Sequence, residues 1–269
     1  MTALRRWQEQ VTACREARKR EDTAMWHRLA RWYDEWVEHN DYVDVVLSRI
    51  PTQLGRRTRV LEIGPGSGAF TLPLASSVGQ VVTVEPSRAM REALRLNIAE
   101  ADLTNVDILS ERVEEGLADV QGSFDLALAS NSLYNVKPID DVMRRLVGIV
   151  RHIVILMGIG DQPQWYGKLH RRFRGADRVP SPHMGHFYPV LLELGIFADV
   201  EVVWISANYV YESEEDLLDW WAFHLHLGKD RHSELRSALP ALAQRRGNRI
   251  GIYGRRRMAL LRMESDRSF

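Results

Sequence analysis

Between Val60 and Phe70 the chain reads VLEIGPGSGAF, an apolar run carrying one acid, Glu62, followed by Gly64, Gly66 and Gly68 with Pro65 between the first two. Glycine has no Cβ and tolerates positive φ, so alternate glycines let a backbone turn tightly and approach a bound group closely. A turn of this kind between a strand and a helix offers backbone N–H groups and a helix N-terminus. That suits a nucleotide or a carboxylate-bearing ligand. The segment therefore demands a strand before it and a helix after it.

The flanking sequence meets that demand. Short apolar runs alternate with helical stretches from Arg59 to Gly160, which is the pattern of βαβ units on a parallel sheet. RVLEIG from Arg59, QVVTVEP from Gln80, VDIL from Val106, FDLALAS from Phe124 and HIVILMGIG from His152 read as five strands. The intervening helices are AFTLPLASSV from Ala69, SRAMREALRLNIAEA with Ser87 as its cap, and DDVMRRLVGIV from Asp140. Beyond Gly160 the alternation loosens. FYPVLLELGIF and ADVEVVWIS resume as helix and strand, and SEEDLLDWWAFHLHL opens with Ser213 set against Asp216 in a capping-box pattern. RHSELRSALPALAQRR reads as a further helix and RRMALLRM as a last strand pairing antiparallel. Ahead of the sheet, helix-like spacing places Trp26, Leu29, Ala30, Tyr33, Trp36 and Val37 on one stripe.

These elements predict an α/β fold: a doubly wound sheet, mostly parallel with an antiparallel last strand, plus an N-terminal helical extension and helical insertions. Residues 1–50 form a helical cap, and residues 51–269 form the main domain with lid insertions at about 161–185 and 213–247. At 269 residues the chain suffices for one large domain. Lys plus Arg equals Asp plus Glu at 36 each, so the summed field offers polyanions no general attraction. The single Cys14 excludes an intrachain disulfide or a multi-cysteine zinc site and fits a reducing, cytoplasmic setting. The longest apolar run, at Ile153, is far too short to span a membrane.

Glu85 closes the second strand. In a doubly wound sheet the ends of strands one and two lie side by side, so Glu85 reaches a ligand held by the glycine loop and can accept hydrogen bonds from ribose hydroxyls. Two ribose cofactors compete. Gly64, Gly66 and Ala69 satisfy the G-x-G-x-x-G/A spacing of dinucleotide sites, with an acid about 20 residues on. Against that reading stand Pro65, the G-x-G-x-G spacing completed by Gly68, and the acid Glu62 two positions before the first glycine.

VLEIGPGSG, VVTVEPS and FDLALASNSLYNV, in this order and spacing, resemble the first motif, the second-strand acid motif and the strand-four motif of the class I S-adenosylmethionine-dependent methyltransferases. The resemblance covers about Val60 to Gly160 and implies a Rossmann-like domain binding S-adenosylmethionine. It implies that Gly64, Pro65, Gly66 and Gly68 approach the methionine part, that Glu85 holds the ribose, and that Pro86 and Met90 line the adenine side. Glu62 is implied near the sulfonium and amino group, and Ser130 beside the transfer pocket. LARWYDEW resembles the segment whose tyrosine covers the cofactor, here Tyr33, although a helix-packing aromatic is the alternative. In one departure, LSERVEEG places Arg112 where the family has an acid, so adenine contacts fall to Glu111 or to the backbone of Arg112 or Val113.

Methyl transfer from a sulfonium is an in-line displacement in which alignment supplies much of the acceleration, so an obvious base is not required. SNSLYN lacks the Asn/Asp-Pro-Pro-aromatic tetrad of amino-methylating nucleic-acid enzymes, and no Pro-Cys nucleophile is present, so no DNA substrate is indicated. Tyr134 is the candidate for orienting an acceptor, with rim packing as the alternative. His183 and His186 make an incomplete metal set and fit a helix cap; no metal is predicted. His224 and His226 point to different faces of a helix. The arginines of HRRFRG and GRRRM read as solvated or ion-paired, and Trp220, Trp221 and Phe223 as core or subunit contact. The expected function is methylation of a small-molecule acceptor, with a homodimer possible. Alternatives are a protein or RNA acceptor, a non-catalytic cofactor-binding or assembly module, and a nicotinamide oxidoreductase.

Overall fold

A computed structural model describes residues 1–17, 32–51, 53–161, 164–175, 179–239 and 242–265. Five strands, β1 (Arg59–Ile63), β2 (Gln80–Val84), β3 (Val106–Leu109), β4 (Phe124–Ser130) and β5 (Val150–Gly158), form from the apolar runs read in the sequence. Each is followed or preceded by a helix, so neighbouring strands pair in parallel: β1 with β2 and β4, β2 with β3, and β4 with β5. β6 (Asp199–Ser206) and the last strand β10 (Arg255–Glu264) complete a seven-stranded sheet in the order β3-β2-β1-β4-β5-β10-β6. β10 runs antiparallel to both β5 and β6. The strand order reverses between β1 and β4, which is where an open α/β sheet leaves a crevice at the carboxyl ends of its strands.

Helices cover both faces. α4 (Thr71–Ser77) and α3 (Tyr42–Leu47) lie on one, burying Tyr42, Val46, Phe70 and Leu74 against Val60, Leu126, Leu128 and Val154. α1 (Ala3–Ala17), α7 (Ile139–Ile149) and α9 (Met184–Glu193) lie on the other, with Trp7, Met143 and Phe187 against Leu61, Ala127 and Ile155. α5 (Arg88–Glu100) follows β2 and starts at Ser87, whose Oγ accepts from the Met90 N–H at 3.4 Å as its cap. The short α6 (Val113–Gly116) follows β3. α1 is fastened by the Trp7 indole donating to the Val136 carbonyl at 2.7 Å, and by the Glu193 carboxylate accepting from the Ala3 and Leu4 N–H groups. Residues 32–38 form α2, whose Tyr33, Trp36 and Val37 pack against the α3/α4 side of the sheet. Trp26, Leu29 and Ala30 of the predicted stripe lie outside the described residues.

The segments after β5 hold more elements than the sequence reading allowed. The segment after Gly160 contains α8 (Gln164–Arg174). α10 (Glu214–His224) is capped by Ser213, whose Oγ accepts from the Asp216 N–H at 3.1 Å. The stretch from Arg231 was expected to be one helix, but α11 (His232–Ala238) stops early. Three strands, β7 (Tyr209–Tyr211), β8 (Gln244–Arg246) and β9 (Arg249–Ile252), then build a second small sheet in the order β7-β9-β8. Gly247, at φ +61°, begins the two-residue turn from β8 to β9, a tight hairpin that requires positive φ. Trp220 and Trp221 sit in a third core with Leu169, Phe173, Tyr211 and Ile252 and are not surface aromatics. Among the described residues no helix is long and apolar enough to cross a membrane.

Candidate active site

The glycine loop runs from the end of β1 to the start of α4, at the carboxyl edge of the sheet. Gly64, Gly66 and Gly68 have φ of +67°, +60° and +111°, a region side chains rarely adopt. A Cβ on Gly64 would lie 2.5 Å from the Cβ of Ser132, and one on Gly68 would lie 2.7 Å from Leu94 of α5. Gly64 thus lets the β1 and β4 ends come together, and Gly68 lets α5 close on the loop. Gly66 faces elsewhere: the nearest atom to its missing Cβ is on the Tyr33 ring, at 3.7 Å.

Two acids stand behind this loop. Glu85, 7% exposed at the end of β2, accepts from the Gly66 N–H at 3.2 Å and from the Ser87 N–H at 2.8 Å. Burial raises its carboxyl above the ordinary range, and the two backbone donors oppose that shift. Glu62 is 2% exposed, and its Oε2 accepts from Thr71 Oγ at 2.6 Å. Burial pushes its carboxyl up to about 7; the Thr71 hydrogen bond lowers it and the Glu85 charge raises it.

The α2 segment is tied to the loop where the Asp34 carboxylate accepts from Ser67 Oγ, and to α3 where the Tyr33 and Tyr42 hydroxyls hydrogen-bond each other. Asn97 of α5 donates to the Ser67 carbonyl at 2.9 Å. Asp34, Tyr42, Thr71, Asn97 and Ser132 carried no sequence signal of their own, because their roles come from juxtaposition with the loop. Trp36 stacks beside Tyr33, and the Arg256 guanidinium lies 5.3 Å from the centre of the Trp36 ring.

On the β4 side, the Ser130 and Ser132 hydroxyls are buried with no hydrogen-bond partner among the described residues. Asn131 between them has φ +55°. Tyr134 donates to Asn131 Oδ1 at 2.9 Å and accepts from the Gly158 N–H at 2.8 Å, so it braces the ends of β4 and β5. Further along, the His183 ring occupies the space a Cβ on Gly160 would need, and its Nδ1 caps α9 by accepting from the Gly185 N–H at 3.1 Å. His183 and His186 lie 4.0 Å apart, and burial lowers the pKa of both.

The remaining predicted residues flank the β2 and β3 ends. Met90 is buried and Pro86 exposed at the start of α5. Arg91 donates to the Glu85 carbonyl at 2.8 Å and reaches the Ser110 carbonyl at 3.5 Å. Glu111 accepts from Ser110 Oγ at 3.0 Å, the exposed Arg112 stands at the N-cap of α6, and Val113 is buried below it. The loop, Glu62, Glu85, Tyr33 and the β4 end therefore form one group, with Glu111 to Val113 beside it. Of the GRRRM arginines, Arg257 pairs with Asp161 at 2.9 Å, Arg255 lies over the Trp204 ring and Arg256 over the Trp36 ring, with Arg256 Nε buried and without a hydrogen-bond partner among the described residues.

Residues 60–152 match the family model described as "Methyltransferase domain". Among curated relatives, ribosomal RNA small subunit methyltransferase A from Xylella fastidiosa is 33% identical over 98 residues, 35% of this chain and 36% of that one. The namesake from Geobacter sulfurreducens is 29% identical over 161 residues, 54% of this chain and 58% of its own. The 23S rRNA (uracil(1939)-C(5))-methyltransferase of Salmonella typhi is 34% identical over 104 residues, 38% of this chain and 22% of its own. The chain thus spans less than two thirds of each of these relatives. Solved structures with the same fold include a candidate methyltransferase from Bacillus halodurans C-125, with a TM-score of 0.57 at 10% identity over 83% of this chain and 98% of that one. Another is the YcgJ protein from Bacillus subtilis, with a TM-score of 0.56 at 13% identity over 84% and 98% of the two chains. The stretch that matches the methyltransferase-domain model takes in the glycine loop, Glu85 and the β4 end.

Proposed function

We propose that the protein is an S-adenosylmethionine-dependent methyltransferase acting on a small-molecule acceptor in the cytoplasm. The observation that carries the reading is the joint placement of the glycine loop and Glu85 within the matched domain. The residues present suit the cofactor. The loop supplies backbone approach, Glu85 a carboxylate for the ribose hydroxyls, Glu62 a negative charge at the loop's base, and Ser130 and Ser132 two buried unpaired hydroxyls. Gly64, Pro65, Gly66 and Gly68 would cradle its methionine part, Pro86 and Met90 its adenine side, and Glu111, Arg112 and Val113 the adenine edge. The bound cofactor supplies an electrophilic methyl group.

The chain's own work is alignment and exclusion of water. Tyr33, held by Tyr42, covers Gly66 and would shield the sulfur. Tyr134 fixes the β4 and β5 ends between which an acceptor would enter; its hydroxyl is bonded on both sides, which suits a positioning role. The α8–α9 and α10–α11 insertions, with residues 1–50 as a cap, would select the acceptor. They follow the matched region, which ends at residue 152, and variable loops carry selectivity in such scaffolds.

An RNA acceptor is the second reading, favoured by the relatives named for ribosomal RNA. The balanced charge and the pairing of Arg257 with Asp161 weigh toward the first. Isothermal titration with S-adenosylmethionine, S-adenosylhomocysteine and NAD, on the wild type and Glu85→Ala, tests the cofactor. Micromolar binding of the two sulfur ligands alone, weakened in the variant by about 1.5–3 kcal/mol for a lost charged hydrogen-bond partner, is expected. Binding of NAD but of neither sulfur ligand would overturn the reading.

A further inference from the structure

The segment DVEVVWIS, which forms β6, is apolar on both of its faces. Val203 and Ile205 are buried on the α3/α4 side of the sheet. Val200, Val202 and Trp204 alternate with them on the other face and are exposed, Val202 by 49% and Trp204 by 51%. A strand apolar on both faces belongs in the interior of a sheet, yet β6 is the outermost strand, beyond β10. Five of the seven exposed large apolar side chains among the described residues lie between Leu192 and Trp204, with Leu192 and Phe197 joining the three on β6.

The usual guards of a sheet edge are missing from β6. Its register with β10 runs residue for residue from Asp199↔Arg262 to Ser206↔Arg255, so no bulge turns the edge away. It contains no proline, and the charge at its middle, Glu201, is taken up by Arg49 at 2.8 Å and Arg262 at 3.4 Å. We propose that this edge docks a second copy of the chain, β6 against β6 in antiparallel register about a two-fold axis at Val202. That register sets Val202 against itself, Val200 opposite Trp204 and Glu201 opposite Val203, so no charge on the strand faces a like charge. The other edge of the sheet is a poorer partner. β3 is four residues long and carries the exposed Asp107, and pairing β6 with it would build an open filament instead of a closed pair. The five apolar side chains expose roughly 500 Å² per copy, and their burial in both copies removes about 1,000 Å², the lower end for a specific interface. One sheet then runs through both protomers, with their glycine loops at opposite ends of it.

Sedimentation velocity on the full chain tests the pairing. Between about 1 and 100 μM the wild type should shift from monomer toward a species of twice the mass, as mass action requires. Val202→Lys, at an exposed position, sets two like charges face to face and should weaken the dimer at least about a hundredfold. Val202→Glu alone should do the same. An equimolar mixture of the two variants should recover a mixed dimer, because each side chain at position 202 then meets an opposite charge. Trp204→Ser, which adds no charge, should weaken the dimer about tenfold or more and serves if the charged variants fold poorly. A wild type that stays monomeric over this range, leaving the edge to a strand of another protein, would overturn the proposal. So would a dimer that survives Val202→Lys, or a mixture that recovers none.

Discussion

At position 64 an alanine would place its Cβ 2.5 Å from the Cβ of Ser132 in a backbone with φ of +67°. Strain and collision act together there. We expect Gly64→Ala to cost about 2–4 kcal/mol in urea unfolding and to abolish S-adenosylhomocysteine binding. Gly167→Ala in α8, where a Cβ meets nothing within 4 Å, should be neutral or stabilising. An unchanged unfolding midpoint for Gly64→Ala would show that the β1 and β4 ends can separate freely. Such residues were legible in the sequence because loop, Glu62 and Glu85 lie in one short stretch whose spacing is itself the signal. Thr71, Ser132 and Asp34 were not, since an isolated hydroxyl or acid has no pattern until the fold places it. The Arg112 departure was legible as a sequence fact, and the structure puts that side chain in solvent.

Among the described residues, the α2 helix meets the glycine loop at Asp34 to Ser67 and Tyr33 against Gly66, with Tyr33 also bonded to Tyr42 of α3. Asp34→Ala removes the polar tie and leaves the packing. Its expected signature is faster amide exchange over residues 32–38 and a roughly 3–10-fold weaker affinity for S-adenosylhomocysteine, the size of one lost hydrogen bond. Unaltered exchange would assign Asp34 no part in holding the cap. The parallel strands were legible because buried strands read as continuous apolar runs, and α5 and α10 because Ser87 and Ser213 announce their starts. The β8–β9 hairpin escaped: QRRGNRI carries charge where strands usually carry apolar residues, and its one cue is the Gly247-Asn248 pair.

For the whole molecule, the mostly parallel sheet with its antiparallel last strand agrees with the sequence reading, whereas the order β3-β2-β1-β4-β5-β10-β6 formed no part of it. Charge at this scale separates the two acceptor readings. With 36 basic and 36 acidic residues and Arg257 paired with Asp161, binding of a labelled RNA duplex, followed by fluorescence anisotropy, should be absent at physiological salt. Tight binding whose strength falls steeply from 50 to 200 mM salt, about a thousandfold or more for several phosphate contacts, would favour the RNA reading. One feature of the sheet bears on how the protein comes into being. β10 is the last strand in sequence yet sits between β5 and β6, with Met258 facing Gly158 on one side and Val203 on the other. Until it inserts, both neighbours present bare edges, and its pairing requires closure of very long loops. A nascent chain must therefore carry an unsealed sheet until residues 255–264 have been made, and the interval before they dock is when it is most exposed to aggregation.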